Sequence, residues 1–158
     1  MVDNLYIDRY FMNLAYKESI YSTCRRQVGA IFVKNNDVLA TGYNGSPIGV
    51  KSCHEDGGCM RQRDNIKSGT MQEHCRAVHA EQRAIINAAK RGISIENSTL
   101  YVTTYPCSIC ARMLIDCKLK RIVYSGEYFD DISHAMLEEA GVLVEQINKN
   151  SVKMKYIK

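Results

Sequence analysis

The chain has 158 residues, 46% apolar and 24% charged, with 21 basic and 17 acidic side chains giving a net charge of +4. That size suits one domain, and no run approaches the roughly 18 apolar residues of a membrane span, so membrane-spanning, fibrous and disordered readings fail. The positive charge is mild and diffuse, without the basic stripe of a nucleic-acid binder; only residues 149–158 are locally basic, as a solvated tail would be.

In chain order, residues 8–21 carry apolar side chains at Tyr10, Phe11, Leu14 and Ala15, one face of an amphipathic helix with Asp8 as its N-cap. Residues 28–33 (VGAIFV) read as a strand, Asn35-Asn36-Asp37 as a turn and residues 38–43 as a second strand, together a hairpin. Residues 44–76 follow as a long irregular stretch with five glycines and three cysteines, which needs a function or an internal staple. Helix formers fill 77–91 up to Gly92. A strand at 99–104, a helix at 107–117 introduced by Pro106, a strand at 121–124, a helix at 130–140 ending at Gly141 and a strand at 142–147 complete the chain. The alternation predicts one α/β domain over 1–158, its sheet covered by helices on both faces.

Seven cysteines is a high and odd count, and the first residues, Met1-Val2-Asp3-Asn4, form no basic lead into an apolar segment. A secreted disulfide framework is therefore not expected. Reduced thiols, some of them metal ligands, and a cytoplasmic location are.

The chemistry concentrates in His79-Ala80-Glu81 and Pro106-Cys107-Ser108-Ile109-Cys110. An H-x-E followed by P-C-x-x-C is a known signature of zinc-dependent nucleobase deaminases. Its physical logic holds here. Each half falls where a helix begins, and the positive end of a helix favours the thiolate forms of Cys107 and Cys110. Residues three apart on a helix face the same way, so both sulfurs can reach one metal. With His79 they make three protein ligands, and zinc's preference for four leaves a position for water, the mark of a catalytic site. Glu81 sits two residues from His79, close to the metal without being a natural ligand, and is placed to move protons. It would take one from the attacking water, deliver one to ring N3 and then protonate the departing amine. A purely structural zinc site would need a second C-x-x-C or tightly spaced histidines, which the sequence lacks.

Thr23-Cys24-Arg25-Arg26 before Val28-Gly29-Ala30, the segment Thr41-Gly42-Tyr43-Asn44-Gly45-Ser46-Pro47 and His79-Ala80-Glu81-Gln82 with Pro106-Cys107 and Cys110 carry a resemblance over most of the chain. By them the chain resembles the deoxycytidylate deaminase family. The resemblance implies the cytidine deaminase-like fold, a three-layer α/β/α arrangement with a mixed five-stranded sheet. It implies zinc-dependent conversion of dCMP to dUMP and ammonia, feeding thymidylate synthesis, with Glu81 as proton shuttle and Asn44 and Ala80 at the substrate. It further implies a homo-oligomer, commonly a hexamer, that responds to dCTP and dTTP. From the residues themselves, Gly42 and Gly45 around Asn44 allow close backbone approach to a ligand, though an ordinary Asn-Gly turn reads the same. Tyr128, after the strand at 121–124, falls where open α/β sheets place their crevice, or is simply a packing aromatic.

Cys24, Cys53, Cys59 and Cys75, with His54 and His74, form a second sulfur-nitrogen set. A structural zinc on Cys53, Cys59 and Cys75, with Cys24 or His74 as fourth ligand, would staple the long loop. Against it, Cys24 reads equally as a small buried hydrophobe and the histidines as solvated loop residues. Cys117 is expected to pack, and His134 to lie exposed on its helix. Arg25, Arg26 and Arg112 are unranked candidates for a phosphate. The competing functions are a deaminase of cytidine, guanine, a pterin or tRNA adenosine, and a zinc-stapled binding module without catalysis. Glu81 favours an enzyme, since a binding module has no need of it.

Overall fold

The strand that organises the sheet is GAIFVK, Gly29–Lys34 (β1), whose first five residues are all buried and which therefore lies inside a sheet covered on both faces. The computed structural model describes residues 4–148. Asn35 and Asn36 take φ values of 52° and 64°, as a primed two-residue turn requires, and return the chain as β2 (Asp37–Tyr43), antiparallel to β1. β3 (Thr99–Val102) pairs antiparallel with the other edge of β1, and β4 (Arg121–Tyr124) and β5 (Leu143–Gln146) add in parallel. The strand order is β2-β1-β3-β4-β5, the mixed five-stranded sheet that the family resemblance implies.

Side chains alternate across each strand, so one sheet builds two cores. Ile31, Val33, Tyr101 and Val123 point to one face, where α1 (Asn4–Ser19) covers them with Phe11, Met12 and Ala15. Phe32, Leu100, Val102 and Ile122 point to the other, against α3 (Ala80–Lys90), α4 (Ser108–Asp116) and α5 (Asp131–Glu139). Helix α3 and strand β2 meet unusually closely: a Cβ added at Gly42 would stand 2.4 Å from both the Ala80 carbonyl oxygen and the Ala84 nitrogen. Only glycine fits there, and the contact fixes the height of α3 over the sheet.

The structure corrects the start of the first helix. It begins by Asn4, so Asp8 is interior and caps nothing. Its buried carboxylate instead accepts both Arg121 terminal nitrogens, at 2.8 and 2.7 Å, and the Tyr101 hydroxyl at 2.8 Å. A local pattern cannot show a partner 113 residues away. The helix expected from 77 starts at Ala80, and Cys107 and Cys117 flank α4 as its caps. The long 44–76 stretch stays largely irregular, broken by one short helix, α2 (Met60–Arg63). The basic residues 149–158 lie outside the described residues. Among the described residues, no helix is long and apolar enough to cross a membrane.

Candidate metal centre and cavity

His79 is the N-cap of α3 and Cys107 the N-cap of α4, so two helix starts face each other. Cys110 sits on the first turn of α4. His79 Nδ1 lies 3.5 Å from Cys107 Sγ and 3.4 Å from Cys110 Sγ. Tetrahedral zinc, with bonds of about 2.0 Å to nitrogen and about 2.3 Å to sulfur, would set them about 3.5 Å apart. The donor set and its spacing therefore fit zinc. Among the described residues, this is the only group of three or more His, Cys, Asp or Glu donors whose ligand atoms all lie within 4.8 Å of one another.

The metal-free thiols divide one negative charge unequally. Cys107 is held down to about 4 by hydrogen bonds with Cys110 and His79, despite burial. Cys110 is pushed up by its bond to the Cys107 thiolate and by burial, so it keeps its proton. His79 is raised by its hydrogen bond with Cys107, against burial. Glu81, one residue into α3 and 3% exposed, is pushed up by burial, while His79 pulls it back. The Gln82 side chain accepts the His79 backbone N–H at 2.9 Å and so steadies that helix start.

His79, Glu81 and Cys107 border a cavity of about 180 Å³ whose wall also includes Asn44, Ala80, Arg26, Tyr105 and Tyr128. Asn44 Oδ1 accepts the Val28 N–H at 2.8 Å, and its Nδ2 donates to the Arg26 carbonyl at 2.8 Å. Its amide thus ties the 26–28 segment to the end of β2 while lying on the cavity. Tyr128 donates to Asp130 across 3.4 Å, and the Arg26 guanidinium stands 5.7 Å over its ring. Burial first, then the Asp130 carboxylate, pushes the Tyr128 hydroxyl up to about 12, so it remains a donor at neutral pH. Arg25 and Arg26 line the cavity; Arg112 does not, and its exposed Nε donates to the Ser108 carbonyl.

The second set of cysteines borders the same cavity: Cys24, Cys53, Cys59 and Cys75 all line it. Burial, and then the nearby thiols of Cys53, Cys75 and Cys59, push Cys24 up to about 11. Four thiols are the right number for a structural zinc, but their spacing is wider than that of the His79 group. His74 does not join them; its Nε2 meets Asp64 at 2.6 Å. His54 is exposed, as is His134, and Cys117 packs against the main core.

Sequence reasoning missed three contributors. Tyr105, buried beside Pro106, lines the cavity and hydrogen-bonds His134 Nδ1 at 3.3 Å. Arg83 holds the turn after β2, donating to the carbonyls of Tyr43 at 2.8 Å, Gly45 at 2.9 Å and Ser46 at 3.0 Å. Its place four residues after His79, on one helix face, was the available signal. Asp130 gave no signal beyond that of a helix cap.

A family model described as the cytidine and deoxycytidylate deaminase zinc-binding region matches residues 5–126. The chain is 36% identical to the deoxycytidylate deaminase of Schizosaccharomyces pombe over 141 residues, 88% of this chain and 43% of that protein. It thus spans less than half the length of that relative. It is 34% identical to the deoxycytidylate deaminase of Mycobacterium phage D29, across 76% of this chain and 94% of that one. Among solved structures, the dCMP deaminase of cyanophage S-TIM5 in complex with dCMP and dUMP superposes with a TM-score of 0.73 at 34% identity, covering 90% of this chain and 97% of that one.

Proposed function

The chain belongs to the cytidine and deoxycytidylate deaminase family, and we propose that it hydrolyses dCMP to dUMP and ammonia. The observation that carries this reading is the grouping of the His79, Cys107 and Cys110 donors, with His79, Cys107 and buried Glu81 all lining one small cavity. His79 Nδ1 and the two thiolates would hold the zinc. Bound there, the metal would lower the pKa of water towards about 7 and so provide a nucleophile at neutral pH.

The protein's own share is proton transfer and exclusion of bulk water. Glu81, held up by burial, accepts a proton from the attacking water and passes one to N3 of the cytosine ring. Water adds at C4, and Glu81 takes the remaining proton from the new C4 hydroxyl and passes it to the exocyclic nitrogen. The C4–N bond then breaks to leave ammonia and a C4 carbonyl. Asn44 keeps one Nδ2 hydrogen beyond its two backbone bonds, available to the nucleotide. Ala80 offers a small surface beside the reacting ring, Tyr128 a wall, and Arg25 and Arg26 positive charge for the phosphate.

Residues 1–158 are read as one domain, supported by the single sheet shared by both helix layers. The chain's seven free cysteines support a reducing, cytoplasmic location. A second zinc on Cys24, Cys53, Cys59 and Cys75 extends the reading; it requires those thiols to draw together, and metal analysis giving one zinc per chain removes it. Homo-oligomers, hexamers by resemblance, and control by dCTP and dTTP are tested by light scattering and by titrating activity with both triphosphates.

The deciding experiment follows ammonia release from dCMP, CMP, deoxycytidine, cytosine and dCTP in parallel. Turnover of dCMP above the others is expected. Turnover of deoxycytidine without dCMP overturns the substrate and leaves the chemistry.

A further inference from the structure

Cys107 occupies an N-cap position without capping: no side-chain cap bond forms at the start of α4. N-cap side chains ordinarily satisfy one of the first free N–H groups of a helix. At α3 the neighbouring Gln82 supplies a bond from within the helix. At α4 the acceptor comes from elsewhere. Asp130 Oδ2 accepts the Ser108 N–H at 3.2 Å, one residue beyond Cys107 and 22 positions away in sequence.

That carboxylate is already engaged. Asp130 is itself the N-cap of α5, its Oδ1 accepting the Ser133 N–H at 2.8 Å. Oδ2 also receives the Tyr128 hydroxyl across 3.4 Å. One side chain therefore joins three things: the start of α5, the first peptide after Cys107, and an aromatic wall of the cavity. As a plain helix cap it needs only Oδ1.

We infer that Asp130 is a positioning residue, its second oxygen setting the direction of the Cys107 thiolate and the tilt of the Tyr128 wall together. The backbone N–H of Ser108 shares its peptide with the Cys107 carbonyl, so fixing one restrains the rotation that aims the sulfur. Groups that orient metal ligands from outside the coordination shell are worth roughly 10–100-fold in metal affinity or activity when lost. The inference rests on the zinc reading of the His79, Cys107 and Cys110 group, and its first readout does not depend on catalysis.

Two variants separate positioning from capping. Asp130→Ser keeps an N-cap oxygen for Ser133 but is too short for Ser108 and Tyr128. Asp130→Asn can keep Oδ1 for Ser133 while losing the charge and one acceptor. The zinc-loaded proteins are challenged with a chromogenic chelator and the rate of zinc loss is recorded beside the thermal unfolding midpoint. Either folded variant is expected to lose zinc about tenfold faster than wild type at a closely similar midpoint. Zinc loss at the wild-type rate, or acceleration only in step with a lowered midpoint, overturns the inference and leaves Asp130 a cap of α5. With dCMP, the same variants are expected to raise KM more than Tyr128→Phe alone does. Failure of wild type to deaminate dCMP would count against the substrate, while the chelator rates still decide the role of Asp130.

Discussion

His79 and Cys107 are the N-caps of two different helices, and their ring nitrogen and sulfur meet at 3.5 Å. Two positive helix ends thus converge where thiolates must sit, which favours the charge state a metal needs. Glu81 lies in the same converging field, buried, on the helix that carries His79.

Removing the Glu81 carboxylate while keeping its shape should separate proton transfer from metal binding. Glu81→Gln is expected to keep its zinc and lose at least about 100-fold in kcat. Zinc content per chain and ammonia release check it together. A zinc-loaded variant of full activity would sink the proton-shuttle role.

Gly42 is a structural requirement of the site. Gly42→Ala drives a Cβ to 2.4 Å from backbone atoms of Ala80 and Ala84, which cannot swing aside as a side-chain tip can. The expected cost is about 2–3 kcal/mol of stability, with lowered kcat because α3 carries His79 and Glu81. Urea unfolding measures the first and a dCMP assay the second; a wild-type midpoint would show that the helix can lift freely.

Asp8 and Arg121 join α1 to the far end of the sheet, with side chains only 11% and 22% exposed. Arg121→Met strands the Asp8 carboxylate with the Tyr101 hydroxyl and should cost about 3 kcal/mol. Neither side chain lines the cavity beside His79, so KM for dCMP should hold. An unchanged urea midpoint would mean that water reaches the carboxylate once the arginine is gone.

Cys24 gives a pH dependence to the metal-free protein. Its thiol is pushed from 9.0 to about 11 in the folded chain, chiefly by burial. The unfolded chain ionises it first, so its contribution is intact below pH 9 and fades as pH rises towards 11. Urea midpoints across that window should fall more steeply for wild type than for Cys24→Ala. Equal slopes would place the thiol in contact with solvent.

The P-C-x-x-C donors were legible because their spacing is local: three residues along one helix start aim two sulfurs the same way whatever surrounds them. The hairpin was legible at Asn35 and Asn36 for the same reason, two residues able to take positive φ between strand-like runs. The partners of Asp8, Asn44, His74 and Asp130 were not. Each of those side chains had a plausible local role, as a cap, a ligand contact or a metal donor.

The sequence by itself determined the donor set, the carboxylate beside it and the alternation of helices and strands, because each depends on residues a few positions apart. Only the tertiary structure decided which helix starts converge, that His74 goes to Asp64 and Asp8 to Arg121, and that one Asp130 carboxylate serves two helices. Such pairings are choices among many chemically equivalent donors and acceptors. Packing α1 on one face of the sheet and α3, α4 and α5 on the other makes those choices, by fixing which groups come within reach.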